Sequence, residues 1–307
     1  MTRSIAVVLN DSSGKGEYAS AAKQLEEIFG ESGHQARITI ARSGEELRQA
    51  MRQAVAERVD TLAAGGGDGT INTAAQAVLG SPVRLGVIPL GTLNHFAKDL
   101  GIPIEVDAAA KVILDGLVCS VDVGEVNDRI FLNNSSLGVY PAIVRLRERY
   151  QASGLGKWIA ALWATLTVLR RHPFLAVRLS APGEAMVRRT PFVFVGNNEY
   201  RMAGLQAASR DRLTGGHLAV YVMNAERRRG LLGLAWSVVL KGVDQVQELE
   251  LLTVPEAVIE TRRSRLQVAL DGEIVTLDSP LRYRVRPSAL SVLVPADSGA
   301  CDPHPFG

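Results

Sequence analysis

Asp68 is the residue whose setting most directly implies chemistry. It lies in Ala63-Ala64-Gly65-Gly66-Gly67-Asp68-Gly69-Thr70-Ile71-Asn72, between an apolar run that reads as a buried strand and a segment, Thr70–Leu79, that reads as a helix. Glycines on both sides of an acid allow a sharp turn without Cβ atoms in the way of a ligand. Such a turn can aim successive backbone N–H groups into one concavity, and the helix N-terminus adds partial positive charge there. That describes a phosphate site. A carboxylate inside it repels phosphate, because two unit charges about 4 Å apart interact by about 4 kcal/mol at an effective dielectric of 20. A cation between them removes the conflict, and Mg²⁺ bridging Asp68 to phosphate oxygens is the simplest arrangement. The plainer alternative is a tight strand-to-helix turn with a capping acid.

Two further turns share this character. Asn10-Asp11-Ser12-Ser13-Gly14 follows the apolar run Ile5–Leu9, and Gly91-Thr92-Leu93-Asn94 follows Val83–Pro89. The elements that must position them alternate. Helix Tyr18–Phe29, strand Ala36–Ile40, a helix opened by the capping box Ser43-Gly44-Glu45-Glu46, and strand Asp60–Ala64 lead to the glycine turn. A helix over Val106–Gly116 and a strand over Val118–Val126 close the series. Alternation of this length predicts an α/β, doubly wound sheet, in which ligands bind beyond the carboxyl ends of the strands. All three turns fall at that edge. Beyond it the pattern becomes β-rich, with strands expected at Arg129–Asn134, Leu175–Ser180, Val187–Asn197, His217–Met223, Val258–Thr261, Arg265–Leu270 and Pro280–Val285. The domains expected are 1–125 (α/β), 126–288 (a β-rich sandwich), and 289–307, a strand returning to the first domain followed by a tail.

Composition narrows the classes. The chain has 307 residues, 47% of them hydrophobic, and a net charge of +2, with no Lys/Arg tract or basic aromatic stripe; nucleic acid is not an expected partner. Two cysteines, Cys119 and Cys301, form neither a metal-ligand spacing nor a disulfide framework, and Cys119 is expected simply as core. No secretory leader is evident and no apolar run reaches the length of a spanning helix, so a cytoplasmic protein is expected. Two segments are apolar, Trp-bearing and flanked by basic residues: Gly156–Leu169 before Arg170-Arg171-His172, and Gly230–Leu240 after Arg227-Arg228-Arg229. They read as core helices, as interfacial helices, or as both, with one face lining an acyl cleft.

Neither a Walker-type loop nor a dinucleotide fingerprint is present. Instead the glycine turn is followed by Ile88-Pro89-Leu90-Gly91-Thr92-Leu93-Asn94-His95-Phe96-Ala97 and, far downstream, by Leu270-Asp271-Gly272-Glu273. This set, in this order, resembles the diacylglycerol kinase catalytic-domain family, which includes bacterial lipid kinases and sphingosine kinases, from Asn10 to about Pro295. The resemblance implies an ATP-dependent lipid kinase using Mg²⁺, with the site between the two domains. It implies nucleotide contacts from Asn10, Ser13, Gly14, Gly66, Gly67, Asp68, Gly69, Thr70, Asn72, Thr92 and Asn94. Asp68 is then the metal-linked acid and Glu273 the base accepting the proton of the lipid hydroxyl. Asp271 belongs to the same acidic cluster, and Asp122 is a supporting acid.

This chain departs from the family pattern in places. Asp11 replaces a proline, Ala41 and Arg42 stand where relatives often carry a nucleotide-contacting threonine, and His95 stands where many have an acid. Gly215 replaces an aspartate that in some bacterial relatives holds a structural Mg²⁺, so that second metal site is not expected. The implied partner is a diacylglycerol-like or sphingoid lipid, with a peripheral contact at the inner membrane surface and a homodimer as further expectations. A kinase of the NAD kinase type, sharing the Gly-Gly-Asp-Gly turn, and a non-catalytic nucleotide- or lipid-binding regulator remain as alternatives.

Overall fold

A computed structural model of the chain describes residues 2–11, 17–138, 175–200, 210, 212–223 and 249–301. Both basic-flanked apolar segments, with Trp158 and Trp163, and the turn residues Ser13 and Gly14 lie outside these. The chain divides into two compact units. The first comprises residues 1–123, 209–216 and 286–307, and the second 124–208 and 217–285. Two features differ from the sequence reading: a short central segment, 209–216, joins the first unit, and the C-terminal return starts at 286.

The first unit is a parallel sheet with helices packed on it. Strands β1 (Ser4–Asn10), β2 (Gln35–Ala41), β3 (Thr61–Gly66) and β4 (Arg84–Pro89) pair in the order β2-β1-β3-β4, all parallel. The end of β16 (Leu281–Val294) adds beside β4, with Val292 opposite Leu85. Ile5 to Leu9 are all buried, which is why this strand is apolar without alternation. Helices α1 (Glu17–Glu31) and α5 (Val106–Asp115) pack on each other and bury Leu25, Phe29, Ala110 and Ile113 against Ile5, Val7 and Ile88. Helix α2 (Gly44–Ala56) packs on α3 (Asp68–Val78) and is capped by Ser43, whose hydroxyl accepts from the Glu46 amide at 3.2 Å. The Glu46 carboxylate accepts from the Arg42 amide at 2.8 Å, one residue before the cap, where a capping box has it accept from the amide of the cap residue itself.

Cys119 and Cys301 correct the sequence reading. They are covalently joined, with Cα atoms 6.1 Å apart and 182 residues between them. Spacing in sequence carried no hint of the pair, since contact between β5 (Leu117–Val126) and the tail is made only once the fold forms.

The second unit is a two-sheet sandwich. One sheet runs β16-β13-β8-β9, antiparallel throughout, from β13 (Glu256–Thr261), β8 (Leu175–Ala181) and β9 (Glu184–Thr190). The other runs β12-β11-β10-β7-β14-β15, from β12 (Leu249–Val254), β11 (Leu218–Met223), β10 (Phe192–Asn197), β7 (Asn134–Gly138), β14 (Arg265–Leu270) and β15 (Glu273–Asp278). Val177, Leu179, Ile259 and Tyr283 of the first meet Leu137, Val193, Val195, Val220 and Val268 of the second in one core. The single strand expected over Val187–Asn197 is two strands in different sheets. Pro191 cannot donate to a ladder, and Thr190 Oγ1 accepts from the Phe192 amide at 3.3 Å to turn the chain. Conversely β16 is one 14-residue strand where two were expected.

Candidate active site

In the first unit the register of the parallel strands brings the turns together. Asn10 lies opposite Ala41, Leu9 opposite Gly65, and Gly66 opposite Pro89, so the chain leaves β1, β3 and β4 at one edge. The turns are also bonded to each other. Asn10 Nδ2 donates to Thr70 Oγ1 at 2.8 Å, and the Leu90 amide donates to the Gly66 carbonyl at 3.1 Å. A Cβ on Gly91 would sit 2.4 Å from Gly67 Cα, so these two turns approach backbone to backbone and position 91 has no room for a side chain. A Cβ on Gly66 would meet Thr70 Oγ1 at 2.5 Å.

Helix α3 starts at Asp68, two residues earlier than the sequence reading, with Gly67 in extended conformation as its cap. Its first turn therefore carries Asp68, Gly69 and Thr70. Asp68 is half-buried, and its Oδ1 accepts the Phe96 amide at 3.2 Å. That amide belongs to α4 (His95–Asp99), the helix after the Gly91 turn. Asp68 Oδ2 has no hydrogen-bond partner among the described residues. No group of three or more His, Cys, Asp or Glu gathers as a metal site among them. A single open carboxylate oxygen beside amide-rich turns suits Mg²⁺, which keeps water and phosphate oxygens as most of its ligands and needs only one or two carboxylates from protein.

The other first-unit residues divide by exposure. Thr92 is exposed and Asn72 half-buried, where each can meet a ligand. Asn94 is buried and left-handed (φ 50°). Its Oδ1 accepts the Gly91 amide at 3.0 Å while Nδ2 donates to the Gly91 carbonyl at 2.8 Å, so this side chain shapes the turn from within. Asp122 is buried too. Its carboxylate accepts the Gly216 amide at 2.6 Å and the Ser288 amide at 2.9 Å, and its own amide donates to the Leu213 carbonyl at 2.8 Å. It ties β5 to both returning segments of the unit.

Sequence reasoning missed Asp99 and Arg210. Arg210 Nε lies 2.8 Å from Asp99 Oδ2, with both side chains almost wholly buried, and the Arg210 amide bonds Asp99 Oδ1 at 3.3 Å. The pair fastens segment 209–216 to the end of α4. No motif could have revealed it, because an Asp and an Arg over a hundred residues apart carry no local signal.

In the second unit, Asp271 and Gly272 both have positive φ (47° and 89°) and form the two-residue turn joining β14 to β15, with Leu270 opposite Glu273. Both Asp271 oxygens are occupied: Oδ2 accepts from Leu132, and Oδ1 from Asn133 and Asn134, at 2.8 to 3.0 Å. Asp271 thus anchors the turn. Glu273, the next side chain but one, is exposed, and its carboxylate has no partner among the described residues. Ser135 and the buried Tyr283 share a hydrogen bond at 2.9 Å, and burial pushes the Tyr283 hydroxyl well above the ordinary phenol value.

Comparison with known proteins agrees with the α/β and β-sandwich fold of the two units. Residues 4–126 match the diacylglycerol kinase catalytic domain, and residues 144–294 match the YegS C-terminal NAD kinase beta sandwich-like domain. The chain is similar to a Pseudomonas aeruginosa protein named "Probable lipid kinase YegS-like", at 31% identity over 272 residues, covering 87% of each chain. It is similar to a diacylglycerol kinase of Mycobacterium tuberculosis at 28% identity, covering 88% of this chain and 84% of the other. The fold matches the crystal structure of a diacylglycerol kinase from Bacillus anthracis with a TM-score of 0.71 at 18% identity, covering 96% of this chain and 98% of that one. The chain belongs to the diacylglycerol kinase catalytic-domain family of lipid kinases.

Proposed function

We propose that the protein transfers the γ-phosphate of ATP to a hydroxyl of a diacylglycerol-like or sphingoid lipid. The observation that carries this reading is Asp68, held by the Phe96 amide through one oxygen and open at the other, between turns in which Gly66 and Gly91 leave no room for a Cβ. When bound, Mg²⁺ would neutralise charge developing on the transferring group, and Asp68 is the residue that would hold it. The backbone amides of Gly67, Asp68 and Gly69 receive the phosphates, the Thr70 amide being taken by the Gly67 carbonyl; Thr92 and Asn72 offer further hydrogen bonds, and Asn10 fixes Thr70. Glu273, with its unoccupied carboxylate, orients the lipid hydroxyl and takes its proton. Asn94, Asp122 and Asp271 act through the backbone they hold. A lipid acceptor is drawn from a bilayer, so the protein works in peripheral contact with the inner membrane surface.

The test is transfer of labelled γ-phosphate from ATP with Mg²⁺ to a panel of extracted lipids and to NAD. A labelled lipid is expected; labelled NAD alone would move the protein to the sister activity. Asp68→Ala is expected to lower transfer at least about a hundredfold in a protein that still folds. Glu273→Gln should cost about 10²- to 10⁴-fold while leaving ATP affinity unchanged. An active, folded Asp68→Ala protein would sink the mechanism.

A further inference from the structure

The Cys119–Cys301 bond lies outside everything the kinase reading uses. Cys119 is buried near the start of β5, whereas Cys301 is half-exposed at the end of the described tail. Their Cα separation of 6.1 Å is ordinary for a disulfide. Just before Cys301 the tail lies on two elements of the first unit. Ser298 Oγ donates to the Leu100 carbonyl at 2.7 Å, and the Ala300 carbonyl accepts the Leu213 amide at 3.3 Å. Leu100 caps α4, whose Asp99 holds Arg210 and whose Phe96 amide holds Asp68. Leu213 belongs to the segment that Arg210 and Asp122 pin in place. The tail is thus packed against the helix whose Phe96 amide holds the open carboxylate and against the segment that Arg210 fastens to the end of that helix, and a single covalent bond fastens it.

We propose that Cys119 and Cys301 form a reversible thiol–disulfide clasp that holds the C-terminal tail on α4 and segment 209–216, and so sets the order of the phosphate turns. The exposure difference fixes the direction of attack. A low-molecular-weight thiolate attacks Cys301 Sγ, the S–S bond breaks, and Cys119 leaves as a thiolate that takes a proton. A second thiol then resolves the mixed disulfide at Cys301. In sum, the protein disulfide and two thiols give the protein dithiol and one small disulfide; oxidation by a small disulfide such as oxidised glutathione runs the same steps backwards. In a reducing compartment the clasp stands open, and it closes when the thiol pool is oxidised.

The experiment uses the full chain equilibrated with dithiothreitol or with oxidised glutathione. Free thiols are counted by maleimide labelling and intact mass. The tail is probed by cleavage ahead of Asp297 with an Asp-specific endoproteinase, read after complete reduction. ATP affinity with Mg²⁺ is measured by calorimetry. Two labels in the reduced protein and none in the oxidised are expected, with tail cleavage slower in the oxidised form. ATP binding is expected to be about fivefold tighter there, a coupling at the low end for allosteric sites. Cys301→Ser should behave like reduced wild type in both buffers. Two labels after oxidation of the folded protein would overturn the proposal, as would equal cleavage rates or equal ATP affinities in the two states. The affinity readout rests on the nucleotide reading above. If ATP bound in neither state, that reading would fail, and labelling and cleavage would decide the clasp alone.

Discussion

Gly91 shows how little room the candidate site leaves at the scale of single residues. A methyl group there would meet Gly67 Cα at 2.4 Å and Asn94 Oδ1 at 2.7 Å, so Gly91→Ala must push two turns apart. It is expected to cost about 1–3 kcal/mol by overpacking and to weaken ATP binding, measurable by denaturant unfolding and calorimetry. Asp271 makes the opposite point, because its value lies in bonds already formed. Asp271→Ala leaves three amides of residues 132–134 without their acceptor and should destabilise the protein by about 2–4 kcal/mol, with Asp271→Asn intermediate. Tyr283 gives a pH dependence. Its hydroxyl titrates higher in the folded state than in the unfolded chain, so its contribution is complete below about pH 10 and is lost as pH rises beyond that. The denaturant midpoint should therefore fall above pH 10 in the wild type, and this tyrosine's share of the fall should vanish in Tyr283→Phe.

At the scale of elements, the βα alternation of the first unit and its three turns could be read directly, because each depends on residues close in sequence. Buried parallel strands are continuous apolar runs, and glycine with a polar neighbour marks the turn. The roles within those turns were less legible. Asn94 and Asp271 have side chains of ligand type, yet both are engaged by backbone, a distinction that depends on rotamer and neighbours. The split at Pro191 could have been suspected from proline alone, but strong β-propensity on both sides concealed it. Segment 209–216 was invisible, since its place is set by Asp99–Arg210 and Asp122 across the fold. Breaking that ion pair with Arg210→Ala leaves a buried carboxylate uncompensated and should cost about 3–5 kcal/mol, whereas Asp99→Leu with Arg210→Met should cost less. Thermal unfolding of the two variants would separate these outcomes.

At the scale of the whole molecule, the first unit is assembled from three stretches of chain, with β5 and β16 each running from one unit into the other. A fragment ending at residue 126 would match the catalytic-domain family in length yet lack both amides that Asp122 accepts and the strand that pairs with β4. Such a fragment is expected to stay partly unfolded, with poorly dispersed amide resonances. The same discontinuity has a consequence during synthesis. Once residue 123 has left the ribosome, roughly 160 further residues must follow before β16 can reach β4, a wait of roughly 10–30 s at ordinary elongation rates. Throughout that interval β4 is a bare, apolar strand edge, the kind of surface on which nascent chains stick to one another. Yield in the cell should thus depend on chaperones that shield that edge, and slowing translation should favour aggregation rather than rescue.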